Sequence, residues 1–268
     1  MDPLFAIYRS RADKLLVELW AVHLIAGAIA GLLCALFTSL GWWAMPIALV
    51  AACGLAMFWL GVGERRLRSV MVPAGSTQCG PADEPRLANI VDGICLLVGV
   101  ERPTLVIHPA AVANASAFGR RPDRTTVVVT QGLLDELGRI EFEAVIARLL
   151  TQVRDGRIAY LTTAVTTVGL PALLWRSLWP LVQVRLEREA STGSDFDDDA
   201  EAVKLTRYPP GLADALETMS GVGVSMSTPK ATWPLWLADP RAADARQPDE
   251  LPDYRADLET RVAVLREF

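Results

Sequence analysis

Two stretches of the chain carry the side chains best suited to chemistry. One is the acidic run Asp195-Phe196-Asp197-Asp198-Asp199; the other places Arg148, Leu149 and Gln152 within a single helical turn and a half. A run of carboxylates can ligate a cation, cap a helix N-terminus or pair with a buried base. As a calcium loop it fails at two positions, with Ala200 where a glycine is needed and Thr206 where a glutamate should close the site. The chain has only two histidines, His23 and His108, and its four cysteines form no Cys-x-x-Cys pair. His108 stands beside Pro109 without a second histidine near it, which reads as a structural or surface residue. From Ile140 to Asp155, Phe142, Val145, Ile146, Leu149, Leu150 and Val153 repeat at helical spacing. Arg148 and Gln152 then fall one turn apart on the flank of that apolar face, which from composition alone reads as a solvated helix edge.

The elements that must position these residues begin with a membrane part. The 268 residues are 51% hydrophobic with a mean hydropathy of +0.28, high for a soluble protein. Leu19 to Leu40 and Trp42 to Val62 contain no Asp, Glu, Lys or Arg, and each supplies the about 20 apolar residues that cross a bilayer core. With almost nothing between them, they form a hairpin whose ends emerge on one side. Arg9, Arg11 and Lys14 before the hairpin, with Arg65, Arg66 and Arg68 after it, place both ends in the cytoplasm. Gly27 and Gly31 make a small-xxx-small face that serves either packing within the hairpin or dimerisation.

Residues 69–84 hold Pro, Gly and Ser with little periodicity and read as a linker. Arg86 to Val98 is an amphipathic helix, and Thr104 to His108, Asn114 to Phe118 and Thr125 to Thr130 are strands. Residues 158–184 are apolar apart from Arg176 and are broken by Gly169, Pro171 and Pro180. They are too short for two crossings and suit a kinked helical hairpin that associates with the membrane. Asp257 to Phe268 is a closing helix with Leu258, Val262 and Leu265 on one side. The net charge of -5 is spread without a basic, aromatic-rich stripe, so nucleic acid is not an expected partner.

The segment Asn114 to Arg157, and above all the string VVVTQGLLDEL followed by Ala144, Val145, Ala147, Val153 and Arg154, resembles the core of the HtpX-type membrane zinc endopeptidases, peptidase family M forty-eight. In that family the helix carries His-Glu-x-x-His; here Arg148, Leu149 and Gln152 stand at those three positions. The acidic run followed by Ala202, Leu205, Thr206, Arg207 and Pro209 resembles the family's Glu-x-x-x-Asp helix, with Asp195 at the third zinc ligand and Asp199 at the orienting aspartate. The family's His-Pro-Pro before the last helix is replaced by Leu251-Pro252-Asp253.

The resemblance implies an α+β fold: a transmembrane hairpin over residues 1–68 with basic flanks, the linker, and a mostly helical gluzincin-like domain over 85–268 with a small β-sheet. It implies a zinc site at Arg148, Leu149, Gln152, Asp195 and Asp199 that has lost its ligands. Guanidinium is always protonated and only donates, and leucine is no base, so neither a zinc cofactor nor catalysis is expected. The expectation is an inactive relative in a bacterial plasma membrane, its main domain cytoplasmic. It would act as a binding or scaffold subunit with an unidentified membrane protein partner. The alternative is a metalloendopeptidase with unusual ligands, such as Asp195, Asp199 and His108 around a metal. The edge strand Asn114, Ala115, Ser116, Ala117 and Phe118 is a candidate for pairing with a peptide. Membrane lipid is the other expected partner, and a homo-oligomer could form through Gly27 and Gly31. Two carboxylates left by a dication need a replacement cation, so Arg148 is expected within about 6 Å of Asp195 or Asp199.

Overall fold

A computed structural model describes residues 3–39, 41–80, 84–191, 193–241 and 256–268. Leu40 and the Leu251-Pro252-Asp253 motif lie outside the described residues. The chain opens with two long antiparallel helices, α1 (Pro3–Phe37) and α2 (Ala44–Met71), joined through a short 3-10 turn at Gly41–Trp43. Val22, Ile25, Ile29 and Leu36 on α1 and Val50 and Met57 on α2 point outward, as lipid-facing residues do. Glycine is required where the helices touch. A Cβ on Gly27 would lie 2.6 Å from Cβ of Ala52, and one on Gly31 would lie 3.0 Å from Cα of Met45. Both glycines are buried within the hairpin, so their small-residue face packs the two helices of one molecule together. The Nδ1–H of His23 donates to the Leu19 carbonyl at 2.8 Å, which satisfies that ring nitrogen within its own helix.

The chain then enters a four-stranded mixed sheet. Its strands are β1 (Thr77–Cys79), β2 (Thr104–His108), β3 (Ala115–Phe118) and β4 (Thr126–Thr130), in spatial order β1-β2-β4-β3. The three strands read from the sequence are present. The linker differs from expectation, because α2 runs on to Met71 and residues 77–79 pair antiparallel with β2. β2 and β4 pair in parallel, Leu105 beside Val127 and Ile107 beside Val129. Alternate residues serve two cores: Leu105, Val127 and Val129 face one, Val106 and Val128 the other. A sheet buried on both faces explains the unbroken Val127-Val128-Val129 run.

Eight of the nine remaining α-helices of the described residues cover this sheet and one another: α3 (Pro85–Val98), α4 (Gln131–Glu136), α5 (Arg139–Arg154), α6 (Arg157–Thr167), α7 (Leu170–Leu174), α8 (Trp179–Ala190), α9 (Asp195–Thr206) and α10 (Pro209–Val222). The ninth, α11 (Leu258–Arg266), closes the chain. Pro85 starts α3 where a missing N–H costs nothing, and Gly99 at φ +78° ends it in the left-handed region. The Thr130 side chain caps α4 by accepting from the Leu133 N–H. The first core joins the sheet to α3, α5, α9, α10 and α11; the second joins its other face to α6, α8, the membrane-proximal parts of α1 and α2, and a buried segment at Lys230–Leu235.

The apolar stretch 158–184 resolves into α6, α7 and the start of α8, bent at Gly169 and around Trp175. α6 is buried almost all round against both hairpin helices, so its apolar character reflects protein packing and not lipid contact. Trp175, Leu181 and Val184 are the large apolar residues of this stretch that face outward.

Candidate functional site

The helix flank that composition assigned to solvent is in the interior. Arg148 is 2% exposed, Leu149 1% and Gln152 7%, because α9 packs over that side of α5. Local sequence sets each partner. Ser194 accepts from the Asp197 N–H at 3.1 Å and begins α9, whose first turn carries Asp195, Asp197 and Asp198 where the helix dipole favours negative charge. One turn later, Asp199 lies on the same face as Asp195. At the end of α5, Gly156 at φ +78° turns the chain directly into α6 and aims Arg157 back at the acidic turn.

The structure brings Arg148, Asp195 and Asp199 together. Nε of Arg148 donates to Asp199 at 2.6 Å, and Nη2 donates to Asp195 at 2.8 Å and approaches Asp198 at 3.6 Å. These distances fall well inside the 6 Å that charge replacement requires. Gln152 donates from Nε2 to Asp198, so its amide is turned as a donor toward a carboxylate.

Two participants escaped the sequence reading, Arg261 and Arg157, and Asp198 entered it only as part of the acidic run. Arg261 of α11, 1% exposed, forks onto Asp199 with Nε and Nη2 each at 2.8 Å, and its Nη1 donates to the Leu237 carbonyl at 3.1 Å. Arg157 donates from Nη1 to Asp198 and to the Ser194 carbonyl at 3.2 Å. Asp198 is the third carboxylate, shared by Arg157 and Gln152. A signal for Arg261 existed: it falls three residues after Leu258 and four before Leu265, on the apolar stripe of α11, where a charge needs a buried partner. The result is three guanidiniums, of Arg148, Arg157 and Arg261, set against three carboxylates, of Asp195, Asp198 and Asp199. The buried charge is balanced without any bound ion.

Burial is the largest single influence on Arg148 and works against its charge, but Asp199, Asp195 and Asp198 together outweigh it and raise its pKa. Arg157 is raised in the same way, with burial opposing and Asp198 the main support. Both guanidiniums are therefore charged at every pH a protein survives.

Cys95 on α3 is pushed up to about 11 by burial with a smaller push from Asp92, which leaves an inert thiol. His108 is remote from the acidic turn in its bonding. Its Nδ1 accepts from the Ala110 N–H at 3.1 Å, its ring meets Trp236 edge-on with centroids 6.2 Å apart, and burial lowers its pKa. Among the described residues, no three of His, Cys, Asp and Glu are grouped to hold a metal ion, so the alternative ligand set of Asp195, Asp199 and His108 is not assembled.

The edge strand Asn114 to Phe118 is an edge of the four-stranded sheet, yet that edge is not open. Ser116 forms an antiparallel bridge with Trp236, and the Leu237 N–H donates to the Ala115 carbonyl at 2.8 Å. Asn114, fully buried, fixes this strap: its Nδ2 donates to the carbonyls of Ala238 at 2.9 Å and Val224 at 3.3 Å, while Oδ1 accepts from the N–H of Ala115 at 2.9 Å and Ala238 at 3.2 Å. A peptide partner would have to displace the chain's own residues 236–238. Unpaired edge groups are costly when buried, and the chain has met that cost with a distant segment of itself.

Comparison with known proteins gives one consistent result. The chain is 32% identical to a protease HtpX homolog of Dictyoglomus thermophilum over 51% of its own length, and 30% identical to one of Dictyoglomus turgidum over 60%. It covers 54% and 62% of those two relatives. A protease HtpX homolog of Lactobacillus acidophilus is 26% identical over 86% of the chain and 88% of the relative. No family model and no solved structure matches the chain.

Proposed function

We propose that this chain, which belongs to the HtpX-type family of membrane peptidases, is a catalytically inactive member that acts as a binding or scaffold subunit in a membrane complex. The observation that carries this reading is the Arg148 guanidinium seated between Asp195 and Asp199. On the family's frame, that guanidinium stands where a histidine would offer a lone pair to zinc. Arginine has only donors, leucine has neither a lone pair nor a proton to exchange, and the Gln152 amide donates to Asp198. Both family carboxylate positions are engaged by arginine. The residues present therefore do not fit a zinc ion, and no hydrolytic step is derived through one.

The remaining parts suit a tether and a rigid platform. The basic residues on both flanks of the hairpin support the reading that its ends, and with them the domain, face the bacterial cytoplasm. The strap on β3 directs partner binding to surfaces other than that edge. The test is metal analysis and proteolysis with the full-length protein in detergent. The expected result is zinc far below one equivalent and no cleavage of an unfolded protein substrate. One equivalent of zinc that is lost in Asp195→Ala, together with cleavage, would overturn the proposal.

A further inference from the structure

Where α2 leaves the apolar stretch, it forms one wall of a cavity of about 340 Å³. The opposite wall is the turn after β3, and the floor is Phe118, Thr126 and Thr162. Five arginines line it: Arg65 and Arg68 from α2, and Arg120, Arg121 and Arg124 from the turn. Two carboxylates answer them. Arg120 pairs with Glu64 at 2.8 Å, and Arg121 grips Asp123 with two hydrogen bonds of 2.9 and 2.8 Å. Arg65, Arg68 and Arg124 have no ion-pair partner among the described residues. The cavity thus concentrates positive charge in a chain whose net charge is -5.

The turn holds its shape through close backbone packing. Gly119 at φ +154° donates its N–H to Thr162 at 3.0 Å, and a Cβ there would lie 2.7 Å from the Arg124 carbonyl oxygen. Gly63, one residue before Glu64, is likewise pressed against α6, with space for no Cβ beside the Thr166 carbonyl. The arginines therefore project from a fixed frame.

We propose that this cavity is a phosphate site that takes the headgroup of an anionic phospholipid. The guanidinium fork matches the paired oxygens of a phosphate, which a single ammonium does not. Arg65 and Arg68 follow Val62, the last residue of the apolar stretch of α2, within two turns, which is where the polar end of a spanning helix meets lipid phosphates, and basic pockets there select anionic headgroups. Its size suits a small headgroup. The site uses none of the residues of the Arg148 network, and it stands or falls apart from the question of catalysis.

The experiment uses the full-length protein. Native mass spectrometry counts phosphatidylglycerol retained from mixed micelles, and thermal unfolding is followed in phosphatidylcholine nanodiscs with and without phosphatidylglycerol. The variant is Arg121→Gln with Arg124→Gln, which lies outside the hairpin and leaves its flanking charges alone. Retention is expected to weaken roughly tenfold to thirtyfold. Arg121→Lys with Arg124→Lys keeps the charge and removes the fork, and it is also expected to weaken retention. Arg102→Gln with Arg139→Gln makes the same charge change elsewhere and is expected to leave retention unchanged. A soluble source is tested with inorganic phosphate in phosphatidylcholine nanodiscs. Protection by phosphate equal to that by phosphatidylglycerol would overturn the lipid assignment. Equal retention in the glutamine, lysine and control variants would overturn the site itself.

Discussion

The buried Arg148 is the most exposed point of this interpretation, and its removal has a calculable cost. Arg148→Met keeps most of the side-chain length and apolar contact while deleting the charge. The guanidinium makes two charge-assisted hydrogen bonds, 2.6 Å to Asp199 and 2.8 Å to Asp195. At about 1.5–3 kcal/mol each, their loss amounts to about 3–6 kcal/mol, which agrees with the about 3–5 kcal/mol found when one member of a buried pair is removed. The burden falls unequally. Asp199 keeps the fork of Arg261, whereas Asp195, 4% exposed, loses the Arg148 hydrogen bond and keeps the charge of Arg157 nearby. Asp195→Asn in the Arg148→Met background removes a buried charge that has lost its Arg148 hydrogen bond and is expected to recover part of the loss.

Thermal or denaturant unfolding of the four proteins of this cycle in one detergent gives the coupling energy directly. An Arg148→Met cost below about 1 kcal/mol would refute the reasoning, because it would mean that the carboxylates are neutral or hydrated without the arginine. Arg148→Lys separates charge from geometry. It retains the cation, cannot span Asp195 and Asp199 with one planar fork, and is expected to lose about 1–3 kcal/mol.

Two further outcomes follow from the same structure. Burial lowers the pKa of His108, so the unfolded chain binds the proton more readily than the folded one. Its contribution is present above the ordinary histidine pKa near 6.5 and is lost as pH falls toward the lowered folded value; His108→Gln should flatten the stability profile over that window, as pH-dependent melting will show. Asn114→Ala deletes four side-chain hydrogen bonds, three of which clamp the segments around Val224 and Ala238. It is expected to cost about 2–4 kcal/mol and to make residues 224–238 the first site of limited proteolysis; a cleavage pattern identical to the parent would remove the clamp from the account.

The sequence disclosed some of this and concealed the rest for identifiable reasons. The hairpin was legible because two uncharged stretches of bilayer length follow one another almost without a break. Residues 104–108 and 126–130 were legible because β-branched runs end at Pro, Gly or Thr. β1 was not, since Thr77-Gln78-Cys79 is three residues with no alternation and owes its strand to β2. Arg148 with Asp195 and Asp199 was found through resemblance, since periodicity alone sent Arg148 to the solvent. Arg157 was missed because its partner lies 41 residues on, and nothing local to the Gly156 turn names it. Arg261 lay in plain view on an apolar stripe, and the rule that a buried charge demands a partner would have found it.

The pattern of the network argues for geometric control and not for raw stability. Buried ion pairs often add little over apolar side chains of the same size, so stability alone does not account for three arginines and three aspartates in one interior. What apolar residues cannot do is fix register. Asp199 accepts simultaneously from α5 and α11, Asp195 from α5, and Asp198 from α5 and the start of α6. A slide of α9 by one turn would strand three carboxylates among guanidiniums aimed elsewhere, at the cost of several uncompensated charges. A dication between two helices can impose a similar constraint from a single point. Here the constraint is distributed over four helices and built into the chain, and Arg261 extends it through the Leu237 carbonyl to the strap on β3. The closing helix, the acidic turn and the filled sheet edge are therefore held in one arrangement by charge-assisted hydrogen bonds that share Asp199 between Arg148 and Arg261.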